Sequence, residues 1–152
     1  MHNLATDPAF FAYAVTGIVL ALNVLLVWMY SGVVRTKSKT AVNAEDAAQF
    51  KTPLVDRDPP EVARVLRAHA NAQANIYPFL FLGLVFVLAG GSAKAADIIF
   101  GSFTVARVGH SFAYLAGKQP WRTIFFLVGG LATIALMVEI VLLITSGPTA
   151  AG

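Results

Sequence analysis

The sequence predicts an all-α integral membrane protein, a bundle of four helices that each cross the bilayer. Three observations carry that expectation. Of the 152 residues, 57% are hydrophobic and only 12% charged, about half the ~25% typical of a soluble domain. The apolar residues gather into stretches of spanning length, with the charges between them. When four stretches are threaded back and forth, ten of the eleven Lys and Arg residues fall on one side, as the positive-inside rule requires. A single membrane domain over 1–152 accounts for the length.

The first span covers about 9–30. Its apolar run, 10–30, is broken only by Thr16, Asn23 and small residues. At ~1.5 Å per residue it matches the ~30 Å hydrocarbon core. Asp7 before Pro8 supplies an N-cap and a first-turn proline. The segment is not expected to be a signal peptide: no Lys or Arg precedes it, it is too long for an h-region, and no small-residue cleavage site follows. A loop over 31–58 comes next, in which Asn43-Ala44-Glu45-Asp46 is expected to cap a short helix through about Phe50.

The second span is placed at 60–89. Its apolar part, 76–89, is 14 residues long, short for a crossing. Asp58-Pro59-Pro60-Glu61 reads as an earlier helix start, with an Asp cap, first-turn prolines and a Glu three residues on. A helix over 59–89 is about 46 Å long, roughly 15 Å more than the hydrocarbon core. The polar part, 61–75, therefore projects from the bilayer or lines a polar cavity. Pro78 removes one hydrogen bond and is expected to kink the helix. Gly90-Gly91-Ser92 closes it in a tight loop. The third span follows at 95–116, the turn Gly117-Lys118-Gln119-Pro120 ends it, and the fourth span occupies 122–145. The uncharged tail, 146–152, is expected to be disordered.

Charge placement orients the spans. Arg35, Lys37, Lys39, Lys51, Arg57, Arg64, Arg67, Arg107, Lys118 and Arg122 lie toward one side and Lys94 alone toward the other. The loops joining spans one to two and three to four are thus expected in the cytoplasm and both termini outside. With no organellar signal, the alanine-rich chain fits a bacterial inner membrane.

Composition also excludes chemistry. With no cysteine there is no disulfide framework, no Cys-based zinc or iron–sulfur site and no cysteine nucleophile; any thiol must come from outside. The three histidines, at 2, 69 and 110, lack metal-ligand spacing and no carboxylates cluster near them, so no metal is expected. The pI is near 9.5, but a net +3 on an apolar chain without a basic, aromatic-interleaved surface does not point to nucleic acid.

Ionisable residues inside spans are functional candidates. Arg107, His110 and Tyr114 follow an i, i+3, i+7 spacing and share one face of the third helix. Arg64, Arg67, Asn71 and Asn75 line a face of the second, and Arg122 opens the fourth at the same depth. Together they make a pocket suited to a small ligand with several carboxylates, which arginine pairs bidentately. Plainer readings stand beside this. Arg107 snorkels to the interface or pairs with Asp46 or Glu45, Tyr114 is an interfacial belt residue, and His110 and His69 are structural hydrogen-bonders. Glu139 lies alone in the fourth span, open to an intersubunit pairing, a protonated state or an ion path. Gly129-Gly130 allows close helix contact.

These residues also form motifs. Arg64-Val65-Leu66-Arg67-Ala68-His69-Ala70-Asn71, running on into Ile76-Tyr77-Pro78-Phe79-Leu80-Phe81-Leu82-Gly83, resembles the signature helix of the MAPEG family, membrane-associated proteins in eicosanoid and glutathione metabolism. Arg107-Val108-Gly109-His110-Ser111-Phe112-Ala113-Tyr114-Leu115 resembles its third-helix motif. Gln119-Pro120-Trp121-Arg122 resembles the start of its fourth helix, and Asn43-Ala44-Glu45-Asp46-Ala47 its loop. The likeness covers roughly 30–126 and is strongest to the prostaglandin E synthase and glutathione transferase 1 branch.

The resemblance implies a homotrimer of four-helix bundles that binds glutathione between subunits near the cytoplasmic face. Carried over by position, Arg35, Asn71, His110, Tyr114 and Arg122 contact glutathione, while Arg67 and Arg107 support the pocket. Arg122 sits near the sulfur, where its charge favours the thiolate. Thr123 stands where the prostaglandin synthase branch has a serine proposed to assist the thiolate. Asp46 matches an aspartate that either takes part in proton transfer or pairs with an arginine, here Arg107. Three positions depart from the pattern: Ala74 replaces a glutamate that helps hold the cationic part of glutathione, and Ala70 and Phe126 replace an arginine and a tyrosine of the prostaglandin synthase branch. The expected activity is therefore glutathione-dependent conjugation of a lipophilic electrophile or reduction of a lipid hydroperoxide, not prostaglandin synthesis. The alternatives are a non-catalytic protein on the same fold, binding a lipid, another thiol or a protein partner, and an ion or proton pathway through Glu139.

Overall fold

The computed structural model describes residues 4–146; His2 and the tail from 147 onward lie outside the described residues. After a single 3-10 turn at Leu4–Thr6, five α-helices follow: α1 (Pro8–Ser38), α2 (Ala44–Phe50), α3 (Pro60–Leu88), α4 (Ala93–Leu115) and α5 (Trp121–Thr145). Among the described residues there is no strand, only an isolated bridge between Ala41 and Leu54. The four long helices pack on one another, with α4 against α5 and α1 against both α3 and α4.

The helix starts differ in how they are capped. Asp7 caps α1 as expected, its Oδ1 accepting from the amides of Ala9 (2.7 Å) and Phe10 (3.3 Å). Ser92 does the same for α4, accepting from Ala95 N at 3.2 Å. At α3 the cap position is Pro59, and Asp58 is not the cap that its place before two prolines suggests. Its carboxylate instead meets Arg35 Nη1 at 2.8 Å, tying the end of α1 to the start of α3. α3 runs unbroken through Pro78 to Leu88.

α1 continues to Ser38, well past Tyr30 where its apolar run ends. Arg35 and Lys37 in its last turn suit the negative end of the helix dipole. The Thr36 and Ser38 hydroxyls donate back to the carbonyls of Gly32 (2.9 Å) and Arg35 (2.7 Å). Beyond it, α2 begins after Asn43, as its sequence suggests. The loop is closed around α2 by Ala41, whose N–H donates to Pro53 O (3.0 Å) and whose O accepts from Val55 N (2.8 Å).

Two side-chain bonds fix how α1 and α4 run. Thr104 Oγ1 donates to Thr16 Oγ1 (3.3 Å) and Ser111 Oγ donates to Asn23 Oδ1 (2.9 Å). The two pairs share one sequence offset, 88 residues, so the helices are parallel and the rungs stand two turns, about 10 Å, apart. The core between the helices is aromatic. Phe79 stacks on Phe103 at 3.5 Å, and the Phe79 and Phe86 rings each meet Phe100 edge-on at 5.8 Å.

Outside that core the surface is apolar. α5 buries one stripe, Gly129, Ala132, Leu136 and Ile140, and leaves Leu127, Leu131, Ile134, Met137, Val138 and Leu142 exposed. Three helices, α1, α3 and α5, are long and apolar enough to cross a membrane. α4, which carries Lys94, Asp97, Arg107 and His110, is not among them.

The Asn23–Ser111 rung yields a test. Ser111→Ala removes its donor, and thermal unfolding in detergent is expected to show a loss of about 0.6 kcal/mol, ~1.7 at most, the measured range for such bonds between membrane helices.

Candidate functional site

The site grows from one buried cation. Arg107 on α4 is 1% exposed, the bulkiest of the fully buried side chains. Its Nη2 donates to Asn71 Oδ1 on α3 at 2.6 Å and lies 3.3 Å from His110 Nδ1, one turn on. Nε and Nη1 are also buried but have no partner among the described residues. The side chain fits because α5 presents glycine opposite it. A Cβ on Gly129 would press on Arg107 Cδ at 3.3 Å, whereas one on Gly130 would meet nothing. Close helix contact therefore uses the first glycine of the pair.

From Arg107 the polar face continues along α4. His110, 3% exposed, meets the Tyr114 ring edge-on at 5.6 Å and lies 6.2 Å from Phe126. The Arg122 guanidinium lies over the Tyr114 ring, 4.9 Å from its centroid, a cation–π contact. With the Gln119 amide turned so that its oxygen faces Arg122, Oε1 accepts from Nη2 (2.8 Å) and Nε (3.2 Å), and the amide nitrogen donates to Thr123 Oγ1 (3.1 Å). Gln119 thus holds both residues at the start of α5.

Beside Tyr114 opens a cavity of about 200 Å³ lined by Arg64, Arg67, Tyr114, Gly117 and Arg122. Three guanidinium groups face it and no carboxylate does. Gly117 has φ +65°, and a Cβ there would run into Arg64 Nη1, so the turn needs glycine for its backbone and for the arginine. Arg122 occupies the second residue of α5, where the helix dipole already favours an anion.

The family model described as MAPEG family matches residues 15–142. The chain belongs to the MAPEG family. Its relatives include human prostaglandin E synthase, 35% identical over 141 residues, 91% of this chain and 93% of the relative. The prostaglandin E synthase of Rattus norvegicus is 37% identical over 120 residues, 79% and 76% of the two chains. Human microsomal glutathione S-transferase 1 is 31% identical over 141 residues, 90% and 91% of the two.

Set on this MAPEG fold, the expected site residues divide into two groups. Asn71, Arg107, His110, Tyr114 and Arg122 form one connected chain of contacts. Arg67 lines the cavity at its end, and Thr123 joins through Gln119. Arg35 and Asp46 stand apart. They line a second cavity, at the foot of α1, that shares no lining residue with the first. The pairing of Asp46 with Arg107 is not formed within the chain. Asp46 Oδ2 accepts from Asn43 Nδ2 at 3.2 Å, while Arg107 turns to Asn71 and His110.

Arg64, Arg67, Ala70 and Ala74 are all exposed on α3, so the cationic face of that helix meets two alanines along its length. Asn75 turns back to the Asn71 carbonyl (2.8 Å) and offers no substitute for an acid. Sequence reasoning assigned no role to Gln119, which reads as part of a turn, although its i+3 and i+4 spacing to Arg122 and Thr123 was visible. Among the described residues no group of three or more His, Asp or Glu is placed to hold a metal ion.

Asn71→Ala strands a buried guanidinium donor and is expected to cost about 1.5–3 kcal/mol, the range for a hydrogen bond to a charged group. Asn71→Asp keeps an acceptor and should lose much less. Thermal unfolding of the two variants in detergent checks the contrast.

Proposed function

We propose that this chain is a glutathione-dependent membrane enzyme acting on a lipophilic substrate, by conjugation of an electrophile or reduction of a lipid hydroperoxide. The observation that carries the reading is the acid-free cluster of Arg64, Arg67 and Arg122, continued inward to a buried Arg107 with unpaired donors. Such a cluster fits a small ligand with more than one carboxylate, and glutathione carries two. The relative named microsomal glutathione S-transferase 1 supports the choice of thiol.

In this reading Arg122 holds the sulfur. Its charge and the N-terminus of α5 add at one point and favour the thiolate over the thiol. Gln119 fixes the guanidinium plane, and the Thr123 hydroxyl would donate a hydrogen bond to the sulfur. In conjugation the thiolate forms a carbon–sulfur bond and the electrophile loses its leaving group or opens its ring. In peroxide reduction the thiolate attacks the terminal peroxide oxygen, an S–O bond forms as the O–O bond breaks, the lipid leaves as an alkoxide that takes a proton to become the alcohol, and a second glutathione converts the sulfenic acid to the disulfide and water.

The assembly belongs to the same proposal. α4 is read as a fourth crossing because it runs parallel to α1, with the α1–α3 and α4–α5 connections in the cytoplasm and both termini outside. A homotrimer would bring Arg35 and Asp46 of one copy toward the Arg122 cavity of another, uniting what a single chain keeps apart. A bacterial inner membrane is the proposed location. Prostaglandin synthesis is not proposed, on the ground of Ala70, Ala74 and Phe126.

A second reading, a MAPEG-fold protein that binds without catalysis, draws on the exposed Ala74, which leaves the ligand's ammonium group without an acid on that helix. Purified protein with a model electrophile separates the two. The enzyme shows turnover that requires glutathione, and its unfolding temperature rises with glutathione. Absence of both effects sinks the first reading.

Arg122→Ala is expected to lower turnover about a hundredfold, the scale of one preorganised electrostatic contact, with the assembly intact by size-exclusion chromatography. Gln119→Ala, which frees Arg122 without removing it, should lower kcat severalfold at a nearly unchanged KM for glutathione. Steady-state kinetics on both variants provide the check.

A further inference from the structure

A groove of about 340 Å³ runs between α1 and α4, from Val19 to Val27 on the first helix and from Val108 to Leu115 on the second. Of the residues that line it, only Asn23 and Ser111 are polar. Asn23 is 9% exposed, and its Oδ1 is taken by the Ser111 hydroxyl. Its Nδ2 donates to no atom among the described residues and opens on the groove.

Depth tells what can fill this space. Tyr30 ends the apolar run of α1. At the standard rise, Val27 lies about 4.5 Å below it, Asn23 about 10.5 Å and Val19 about 16.5 Å. Half of a ~30 Å hydrocarbon core is ~15 Å, so the groove crosses the acyl-chain layer of one leaflet and stops short of the headgroups. An acyl chain is the occupant at hand. A plain chain gains little there, because lipid tails are as apolar as the lining side chains. It also leaves the amide donors unmet where no water reaches them. A chain that carries an oxygen accepts from Nδ2 and withdraws its own polar group from hydrocarbon in the same step. One hydrogen bond thus sorts oxidised chains from intact ones.

The groove also leads toward the arginines. Leu115 lines it and lines another space, of about 410 Å³, with Tyr30 and Val34 of α1 and Glu61 and Arg64 of α3. Arg64 in turn lines the cavity beside Arg122. The three spaces stand in series from the bilayer interior to the proposed thiol site. We propose that the α1–α4 groove captures an oxidised acyl chain from the cytoplasmic leaflet, a fatty chain whose hydroxyl, hydroperoxyl or carbonyl oxygen accepts from Asn23 Nδ2. This names the lipophilic substrate of the enzyme proposed above. It rests on that reading for what happens at Arg122, but not for the binding itself.

The test titrates the full chain, purified in neutral detergent without glutathione, with the methyl esters of a mid-chain hydroxystearic acid and of stearic acid, and follows the unfolding temperature. The esters present no anion to the arginines, so the response reports the groove. The hydroxy ester is expected to act at roughly three- to twentyfold lower concentration than the plain one, the equivalent of one hydrogen bond between membrane helices. Asn23→Leu should abolish that difference. Leu26→Trp, which fills the groove from an exposed position, should weaken the response to the hydroxy ester severalfold with the amide untouched. Equal responses to the two esters overturn the proposal. So does a Leu26→Trp variant that responds like the parent, since the ester then sits elsewhere. A lack of response to either ester, the result expected if a second copy of the chain covers the groove, overturns it too. Should Asn23→Leu fail to fold, the ester comparison and Leu26→Trp decide alone. Ester preference without any thiol-dependent turnover supports the groove and sinks the enzyme reading instead.

Discussion

A guanidinium withdrawn from water gives up solvation that only hydrogen bonds and nearby opposite charge can replace. Arg107 is withdrawn almost completely, and the surroundings answer that demand in part. Asn71 and His110 engage one nitrogen, Gly129 clears the space for the alkyl stem, and two nitrogens are left over. Helices α3, α4 and α5 are thereby brought to one point by a single side chain, and the unmet donors make that point receptive to an anion. The polar face of α4 and the arginines at the cavity mouth extend the same electrostatic field outward.

The rest of the molecule follows from having lipid as a solvent. Apolar side chains cannot drive the helices together when their surroundings are equally apolar, so shape and polar contacts take over. The stacked phenylalanines provide the shape, and the Thr16–Thr104 and Asn23–Ser111 pairs provide the contacts. α5 is the extreme case, held by a narrow stripe of small and aliphatic residues while the remainder of its surface stays apolar and outward.

Much of this was legible in the order of the residues. Hydropathy gave the long helices, the Asp7–Pro8 step gave a cap, and helical spacing put Arg107, His110 and Tyr114 on one face near Asn71. What escaped is long-range. The span is read to Tyr30 because the apolar signal stops there, whereas the helix goes on to Ser38, with Arg35 and Lys37 suited to the dipole of its last turn. Asp58 looked like a cap because nothing local reveals that Arg35 takes it. Gln119 was hidden in a turn, since its bridge depends on how two side chains fold back on it. The pairing of Asp46 with Arg107, one of two roles that the resemblance implies for it, is absent within the chain, where Asn43 takes Asp46 and Asn71 and His110 surround Arg107.

The two rungs between α1 and α4 also bear on how the protein is made. Each joins residues 88 positions apart, and at about 5–20 residues per second of synthesis that separation is roughly 4–18 s. For that interval Thr16 and Asn23 are in existence without the partners they will keep. The first helix must therefore tolerate two polar groups among lipids, or be sheltered by the insertion machinery, until the third long helix arrives alongside it.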